Sequence, residues 1–330
     1  MKLQPLGKGR QGIAFLIKRK RPYVVKVVPY DIRAGSRQPA NIEFTIQKIA
    51  YKAAPKGVVK VIKLEKKLNF IKPSVINMPN VQNSRNFNKS RQSVIYMEYC
   101  AGGDLETWIK KRRRLSEATL MRAIKNILGT LIKIQKVYPD FRHNDLHAAN
   151  VFVAKRGFLI GDFGWARLQK TGTNPAVNNA NGTTTAQQWG VGPHTDPRYD
   201  YHLFLNRLGI LLFNTRNTTK FPRVYKLISS ILPPGYRGET DVHISESRLK
   251  YDDPCPGLPS LEEAYKMVGG NRVNRMNRRR PKIIGPTGRL VYADGSSITL
   301  KYLKNLAKRK NISIRGLRTK RQLVSKIFRL

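Results

Sequence analysis

Two short stretches constrain this chain more than any others: His143-Asn144-Asp145-Leu146-His147-Ala148-Ala149-Asn150 and, soon after, Asp162-Phe163-Gly164. Between them lie Val151-Phe152-Val153-Ala154, a Lys155-Arg156-Gly157 turn, and Phe158-Leu159-Ile160. That order reads as an apolar strand, a tight turn and a second apolar strand. A hairpin of this kind holds Asp145, Asn150 and Asp162 at one mouth. Two carboxylates and an amide there suit a cation bound together with phosphates. Magnesium takes hard oxygen ligands, few of them from protein, with phosphate supplying others. Asp145 is then left to accept a proton from an incoming hydroxyl. The bland alternative is an acidic loop after a helix, next to an ordinary hairpin, so the rest of the chain has to decide.

The N-terminal region supplies the next signal. Leu6-Gly7-Lys8-Gly9-Arg10-Gln11-Gly12 carries G-x-G-x-x-G. Dinucleotide-binding turns share that spacing, but there the glycines open a helix. Here Ile13 to Ile17 is a β-type run, followed by basic turn residues and the strand Tyr23-Val24-Val25-Lys26-Val27-Val28. Glycines free the backbone to lie close over a phosphate. Lys26 sits inside an apolar strand and needs an anionic partner unless it snorkels from an edge. Glu43, on a helix predicted over 41–51, is the candidate. Glu65 is the rival, but its lysine-rich neighbourhood reads as a solvated face.

Residues 79–92 read as a polar surface loop. Ser93 to Cys100 reads as a strand that ends in the Gly102-Gly103 bend, after which Asp104 caps a helix. Leu115 to Val137 is predicted as a long helix with an apolar stripe at Leu120, Ala123, Ile124, Ile127, Leu128, Leu131, Ile132 and Ile134. Beyond Asp162 the pattern thins. The tract 171–188 reads as a loop, and Asp200 is expected to open a buried helix through Leu212 that supports the loop at 143–150 from below. Further helices are predicted near 223–232 and 261–267.

Taken in order, these motifs resemble those of protein kinases: a glycine-rich loop, a strand lysine, a helix glutamate, a hinge, H-x-D-L-x-x-x-N and D-F-G. The resemblance implies an α+β, two-lobed fold with an antiparallel-sheet N-lobe (1–98) and a helical C-lobe (101–268). It implies ATP and magnesium as cofactors. By the same resemblance Gly7, Gly9 and Gly12 cover the phosphates, and Lys26 paired to Glu43 orients them. Asp145 positions the substrate hydroxyl, and Asn150 and Asp162 hold the metal. Met97 would be the gatekeeper, with backbone groups of Glu98 and Cys100 against adenine. Three departures stand out. Asn144 replaces the common arginine, His147 replaces the lysine of Ser/Thr kinases, and A-P-E is missing. Asn144 leads us to expect activity without activation-loop phosphorylation. His147 fits H-x-D-L-H-x-x-N of small-molecule kinases of the choline and aminoglycoside type, which stays open as an alternative.

Charge supplies the remaining expectation. Sixty-three Lys plus Arg against twenty Asp plus Glu give +43 over 330 residues. Such an excess self-repels unless an anionic partner is near, and nucleic acid is the usual one. Residues 269–282 read as a basic linker, and Ile283-Ile284 and Leu290-Val291-Tyr292 as a hairpin around Gly285 to Gly288. Residues 299–328 resemble a SAP motif, a small helix–extension–helix DNA-binding module, within a tail module spanning 283–330. Its phosphate contacts would come from Arg278, Arg279, Arg280, Lys308, Arg309, Lys310, Arg315, Arg318, Lys320 and Arg321. The whole arrangement resembles kinases of large nucleocytoplasmic DNA viruses, which implies the host cytoplasm and the virion as places of action. It also leaves open a virion-packaged DNA-binding protein on a kinase scaffold. Protein substrates would be acidic or DNA-associated. Two cysteines, Cys100 and Cys255, argue against a disulfide framework. No apolar run reaches membrane-span length, and Met1 to Arg10 lacks a signal-peptide core, so a reducing intracellular compartment is expected.

Overall fold

The computed structural model describes residues 3–9, 12–76, 87–111, 116–173, 191, 195–215, 217, 219–237, 257–277, 282–284 and 289–291. It divides into two units, Met1–Val268 and Gly269–Leu330.

The first unit begins with a five-stranded antiparallel sheet in the order β1-β2-β3-β5-β4. The strands are β1 (Leu3–Lys8), β2 (Ile13–Ile17), β3 (Tyr23–Asp31), β4 (Val61–Leu68) and β5 (Phe87–Glu98). Residues of β2 and β3 are buried almost throughout because these strands lie inside the sheet. β4 lies at the edge, and its Val-Ile-Lys-Leu-Glu-Lys-Lys-Leu sequence leaves most positions exposed. Helix α1 (Pro39–Ala53) starts with proline at its first position, where the missing N–H costs nothing. It buries Ile42, Glu43, Ile46, Gln47 and Ala50.

Beyond the sheet the unit is mainly helical. Asp104 caps α2 (Leu105–Lys111), its Oδ1 accepting the Thr107 N–H at 2.7 Å. The two glycines before it have different tasks. Gly103 sits at φ +70°, while a side chain on Gly102 would meet the Val153 carbonyl oxygen at 2.7 Å. Ser116 caps α3 (Glu117–Val137), which buries Leu120, Ala123, Ile124, Ile127, Leu128, Leu131 and Ile134. Ile132, expected in that stripe, is only half-buried. Burying one such aliphatic side chain is worth roughly 1.5–3 kcal/mol, so this stripe is the central plank of the larger core. The predicted hairpin forms as β6 (Val151–Ala154) and β7 (Gly157–Ile160), paired from Val151↔Ile160 to Ala154↔Gly157. Short strands β8 (Arg167–Leu168) and β9 (Gly172–Thr173) follow. Helix α4 (Tyr199–Asn214) is buried along nearly its whole length, with α5 (Pro222–Ile231) after it.

The sheet and the helical part meet through residues 57–59. Val59 N–H donates to Ile160 O at 2.9 Å, and Ile160 N–H to Gly57 O at 2.8 Å. A Cβ on Gly57 would fall 1.9 Å from Thr130 Oγ1 on α3, so only glycine fits that crossing.

Helix α6 runs Leu261–Asn277, ten residues past the predicted end and well into the stretch read as a basic linker. In the second unit, β10 (Lys282–Ile284) pairs antiparallel with β11 (Arg289–Val291), the hairpin expected there. The SAP-like region, and every residue expected to contact DNA, lie outside the described residues.

Candidate active site

β3 and α1 bring the first two charges together. Lys26 occupies an interior strand, and its Nζ lies 2.8 Å from Glu43 Oε1. The same Nζ lies 2.7 Å from Asp162 Oδ1, from 136 residues further along the chain. The Lys26 side chain is 10% exposed and that of Glu43 2%, whereas the Asp162 carboxylate is 43% exposed. Lys26 and Glu43 therefore form the buried floor, and Asp162 faces the opening. Burial alone would lower the affinity of Lys26 for its proton, but the Asp162 and Glu43 carboxylates outweigh it and hold the ammonium well above its ordinary range. Burial pushes the Glu43 carboxyl up against the pull of Lys26. For Asp162 desolvation is outweighed by the Lys26 charge and hydrogen bond, which hold it below the usual carboxylate value. Glu65, the rival partner, pairs instead with Lys63 at 2.7 Å and Lys67 at 3.3 Å on the surface.

The loop at 143–150 is fixed from beneath. Asp200, fully buried at the start of α4, accepts the His143 N–H at 2.7 Å and the Asn144 N–H at 2.8 Å. Burial raises its carboxyl, while the two backbone donors oppose the rise. Asn144 stands at φ +64°, a left-handed conformation that asparagine tolerates better than most residues. Its Nδ2 donates to Trp165 O at 3.0 Å. The ring of His143 lies 4.9 Å from that of Phe163, and its Nε2 is 3.1 Å from Gly161 O. A carbonyl partner places the proton on Nε2, and burial holds the imidazole neutral by lowering its pKa.

Above this support, Asn150 Nδ2 donates to Asp145 O at 2.7 Å and to Asp145 Oδ2 at 3.2 Å. His147 Nε2 lies 3.5 Å from Asp145 Oδ1, and His147 Nδ1 accepts the Ala149 N–H at 3.3 Å. The Asp145 side chain is 40% exposed and open to an incoming group. Because the Asn150 amide nitrogen is committed to Asp145, its oxygen is the atom left to meet a cation. Gly161 N–H donates to Asn150 O at 2.9 Å, which ties Asn150 to the residue preceding Asp162. An amide oxygen and an exposed carboxylate fit magnesium bound chiefly through phosphates. Among the described residues no cluster of three or more His, Cys, Asp or Glu side chains could hold a metal without such help.

The glycine turn and hinge complete the cleft. Gly9 N–H donates to Gly12 O at 2.9 Å, closing the turn. Side chains on Gly7 would meet open space, but a Cβ on Gly12 would lie 2.7 Å from Val27 O. Close packing on β3 is thus a reason for Gly12 that spacing alone did not supply. Met97 packs beside Val59, Cys100 and Leu159. Burial pushes the Cys100 thiol up to about 12. Glu98 is not a passive hinge residue: its N–H donates to Lys60 O at 3.0 Å, its Oε1 accepts the Lys60 N–H at 2.6 Å, and its carboxylate is gripped by the Arg156 guanidinium. Arg156 also donates to Val58 O at 3.1 Å. Neither Arg156 nor the buried Gln47, whose Nε2 donates to Val59 O at 2.9 Å, carries a motif that sequence reading could have found.

A sheet lobe and a helical lobe with a buried lysine–glutamate pair, an exposed carboxylate and an Asp–Asn loop define the phosphotransferase class of nucleotide-binding folds. The family profile described as protein kinase domain matches residues 1–187, more than half of the sequence, and the chain belongs to the protein kinase family. Relatives agree. A serine/threonine-protein kinase of Acanthamoeba polyphaga mimivirus is 31% identical over 197 residues, covering 48% of this chain and 40% of that protein. The serine/threonine-protein kinase Nek5 of Homo sapiens is 28% identical over 173 residues, covering 50% and 21%. The serine/threonine-protein kinase ULK3 of Xenopus laevis is 23% identical over 214 residues, covering 64% and 40%. The chain thus spans less than half the length of each of these relatives.

Proposed function

We propose that this chain is an ATP- and magnesium-dependent Ser/Thr protein kinase, tethered to DNA or a nucleoprotein by its basic tail. The observation that carries the catalytic part is the position of Lys26 Nζ, within 2.8 Å of both Glu43 and Asp162. Lys26 would hold the nucleotide phosphates, Asp145 would orient the substrate hydroxyl and take its proton, and Asn150 with Asp162 would hold the metal. The metal's contribution is charge neutralisation on the phosphates. What the chain itself supplies is position and fixed charge, the main ingredients of phosphoryl transfer. Protein rather than small-molecule substrates are favoured by the relatives, all three of which are named protein kinases. His147 is the one residue that favours the choline or aminoglycoside type.

Activity without activation-loop phosphorylation is supported by ties that need no phosphate. Arg142 Nε donates to Thr195 O at 3.0 Å, and the Arg142 and Arg167 backbones exchange two hydrogen bonds. Asn144 holds Trp165 O. These contacts anchor both ends of the segment with no phosphate.

The test is phosphate transfer from labelled ATP to generic basic and acidic proteins, amino-alcohols and aminoglycosides. Protein labelling that phosphatase pretreatment leaves intact supports the reading. Transfer only to small molecules would move it to the alternative. Loss of turnover after phosphatase treatment would overturn the claim of independence. The tether is tested by neutralising Arg278, Arg279 and Arg280 together, which should weaken DNA binding and make it less sensitive to salt at no cost to peptide phosphorylation.

A further inference from the structure

The tail is not the only strongly basic part of this chain. Residues 1–98 carry twenty-one Lys or Arg and four Asp or Glu. All four acids are committed. Asp31 and Glu43 are buried, Glu65 pairs with Lys63 and Lys67, and Glu98 is gripped by Arg156. The surplus cations of this lobe have no acid of their own to meet.

They are also concentrated. Lys18, Arg19, Lys20 and Arg21 stand consecutively on the β2–β3 turn, all exposed. None forms an ion pair among the described residues. The turn is mounted firmly, since it follows the Ile17↔Tyr23 pair of two well-buried strands. Tyr23 pairs with Glu98, and Glu98 bonds Lys60 at both N–H and O. The four-residue finger and exposed Lys60 therefore leave the sheet at the same end, two strands or about 10 Å apart. Lysines on β4 could be explained as blockers of edge pairing. That explanation does not reach the finger, which is a turn between two strands that already have partners.

We infer that this hinge-end rim of the sheet, the finger Lys18–Arg21 with Lys60, is a docking surface for the phosphodiester backbone of a nucleic acid, separate from the tail. Lysine is depleted in protein–protein interfaces, whose centres are apolar and aromatic. This surface is the reverse, with lysine and arginine and no apolar anchor in the finger. One strand of a duplex presents a charge every ~3.4 Å along the axis, so a rim of this breadth meets several phosphates at once. Such contacts position a nucleic acid and do not read its sequence.

The full-length chain is bound to a 20-base-pair duplex and to a 20-nucleotide single strand, and lysines are acetylated with and without the oligonucleotide. Protection of Lys18, Lys20 and Lys60, with Lys133, Lys136, Lys226 and Lys266 of the other lobe unprotected, is the expected footprint. Protection confined to lysines of the tail would overturn the inference. Changing Lys18, Arg19, Lys20 and Arg21 to Ser together should lower affinity about tenfold or more at physiological salt. It should flatten the plot of log affinity against log salt by about 2–4. Changing Lys133, Lys136, Lys226 and Lys266 to Ser removes the same charge and should do neither. Equal losses from both sets would reduce the effect to net charge and refute a docking surface. A poly-glutamate peptide that competes as well as the oligonucleotide would refute the phosphate assignment. Nucleotide-dependent thermal stabilisation, which does not involve the finger, should be unchanged in both variants and reports that they fold.

Discussion

Replacing Asp200 with Asn probes the support beneath the loop at 143–150 while keeping its shape. In the wild type both carboxylate oxygens accept backbone N–H groups, at 2.7 and 2.8 Å, in a site with no exposure. Hydrogen bonds to a charged group contribute about 1.5–3 kcal/mol each. Asparagine can keep one as a neutral bond of about 0.5–1.5 kcal/mol, and turns its NH2 toward the other donor. That leaves a buried N–H without an acceptor, at about 1–3 kcal/mol. Burial already raises the Asp200 carboxyl, so removing the charge returns part of the loss. The net expectation is a destabilisation of about 2 kcal/mol, within reach of urea unfolding. Function should suffer more. The Asn144 N–H bond helps hold that residue at φ +64°, and Asp145 is its neighbour. A shift of about 1 Å in a reacting group can cost about 100-fold. Turnover should therefore drop about 10- to 100-fold, while the KM for nucleotide, set by Lys26, Glu43 and Asp162, stays within about twofold. A variant with wild-type stability and turnover would show that Asp200 does not fix the loop, and the reasoning would fail.

Further outcomes follow from other contacts. Arg156 joins the β6–β7 turn to Glu98 and to Val58 O, so it straps the two lobes together. Arg156→Ala and Glu98→Ala should each raise nucleotide KM a few-fold, with a coupling of about 0.5–1 kcal/mol in a double-mutant cycle after allowance for partial exposure; strict additivity would refute the strap. His143 is neutral and buried, with its folded pKa below the unfolded value of about 6.5. The unfolded chain then takes the proton first, so this contribution is whole above about pH 6.5 and is lost as pH falls below it. The melting temperature should drop between pH 7.5 and 5.5, and drop less in His143→Gln; equal drops would show that His143 is not responsible. Asp200 and Asp145, which face it, are present in both proteins and cancel in the comparison.

Much of this site could be read from residues because its parts have fixed spacing. Asp145, Asn150 and Asp162 flank a hairpin whose two apolar runs announce themselves, and α3 declares itself by helical period. Asp200 was legible as the polar opening of an apolar helix. What stayed hidden lacks any period. The Glu98–Arg156 pair joins residues 58 positions apart, and no pattern in either neighbourhood points to the other. Gln47 reads as a polar helix residue, yet it is fully buried and holds Val59 O, with its Oε1 left unpartnered. β4 escaped because an edge strand exposed on both faces does not alternate. Helix α6 runs past Gly269 and Gly270, residues that normally argue for a stop.

The most direct test of the central claim is incorporation of labelled γ-phosphate by the wild-type chain beside Lys26→Ala and Asp162→Ala, with nucleotide binding followed by thermal shift. If one triphosphate and its metal lie among these side chains, the wild type transfers phosphate and both variants lose transfer while remaining folded. Nucleotide at a hundred times its dissociation constant should then stabilise the wild type by about 2.7 kcal/mol. Wild-type levels of transfer in both variants, or no nucleotide-dependent shift in the wild type, would contradict the account.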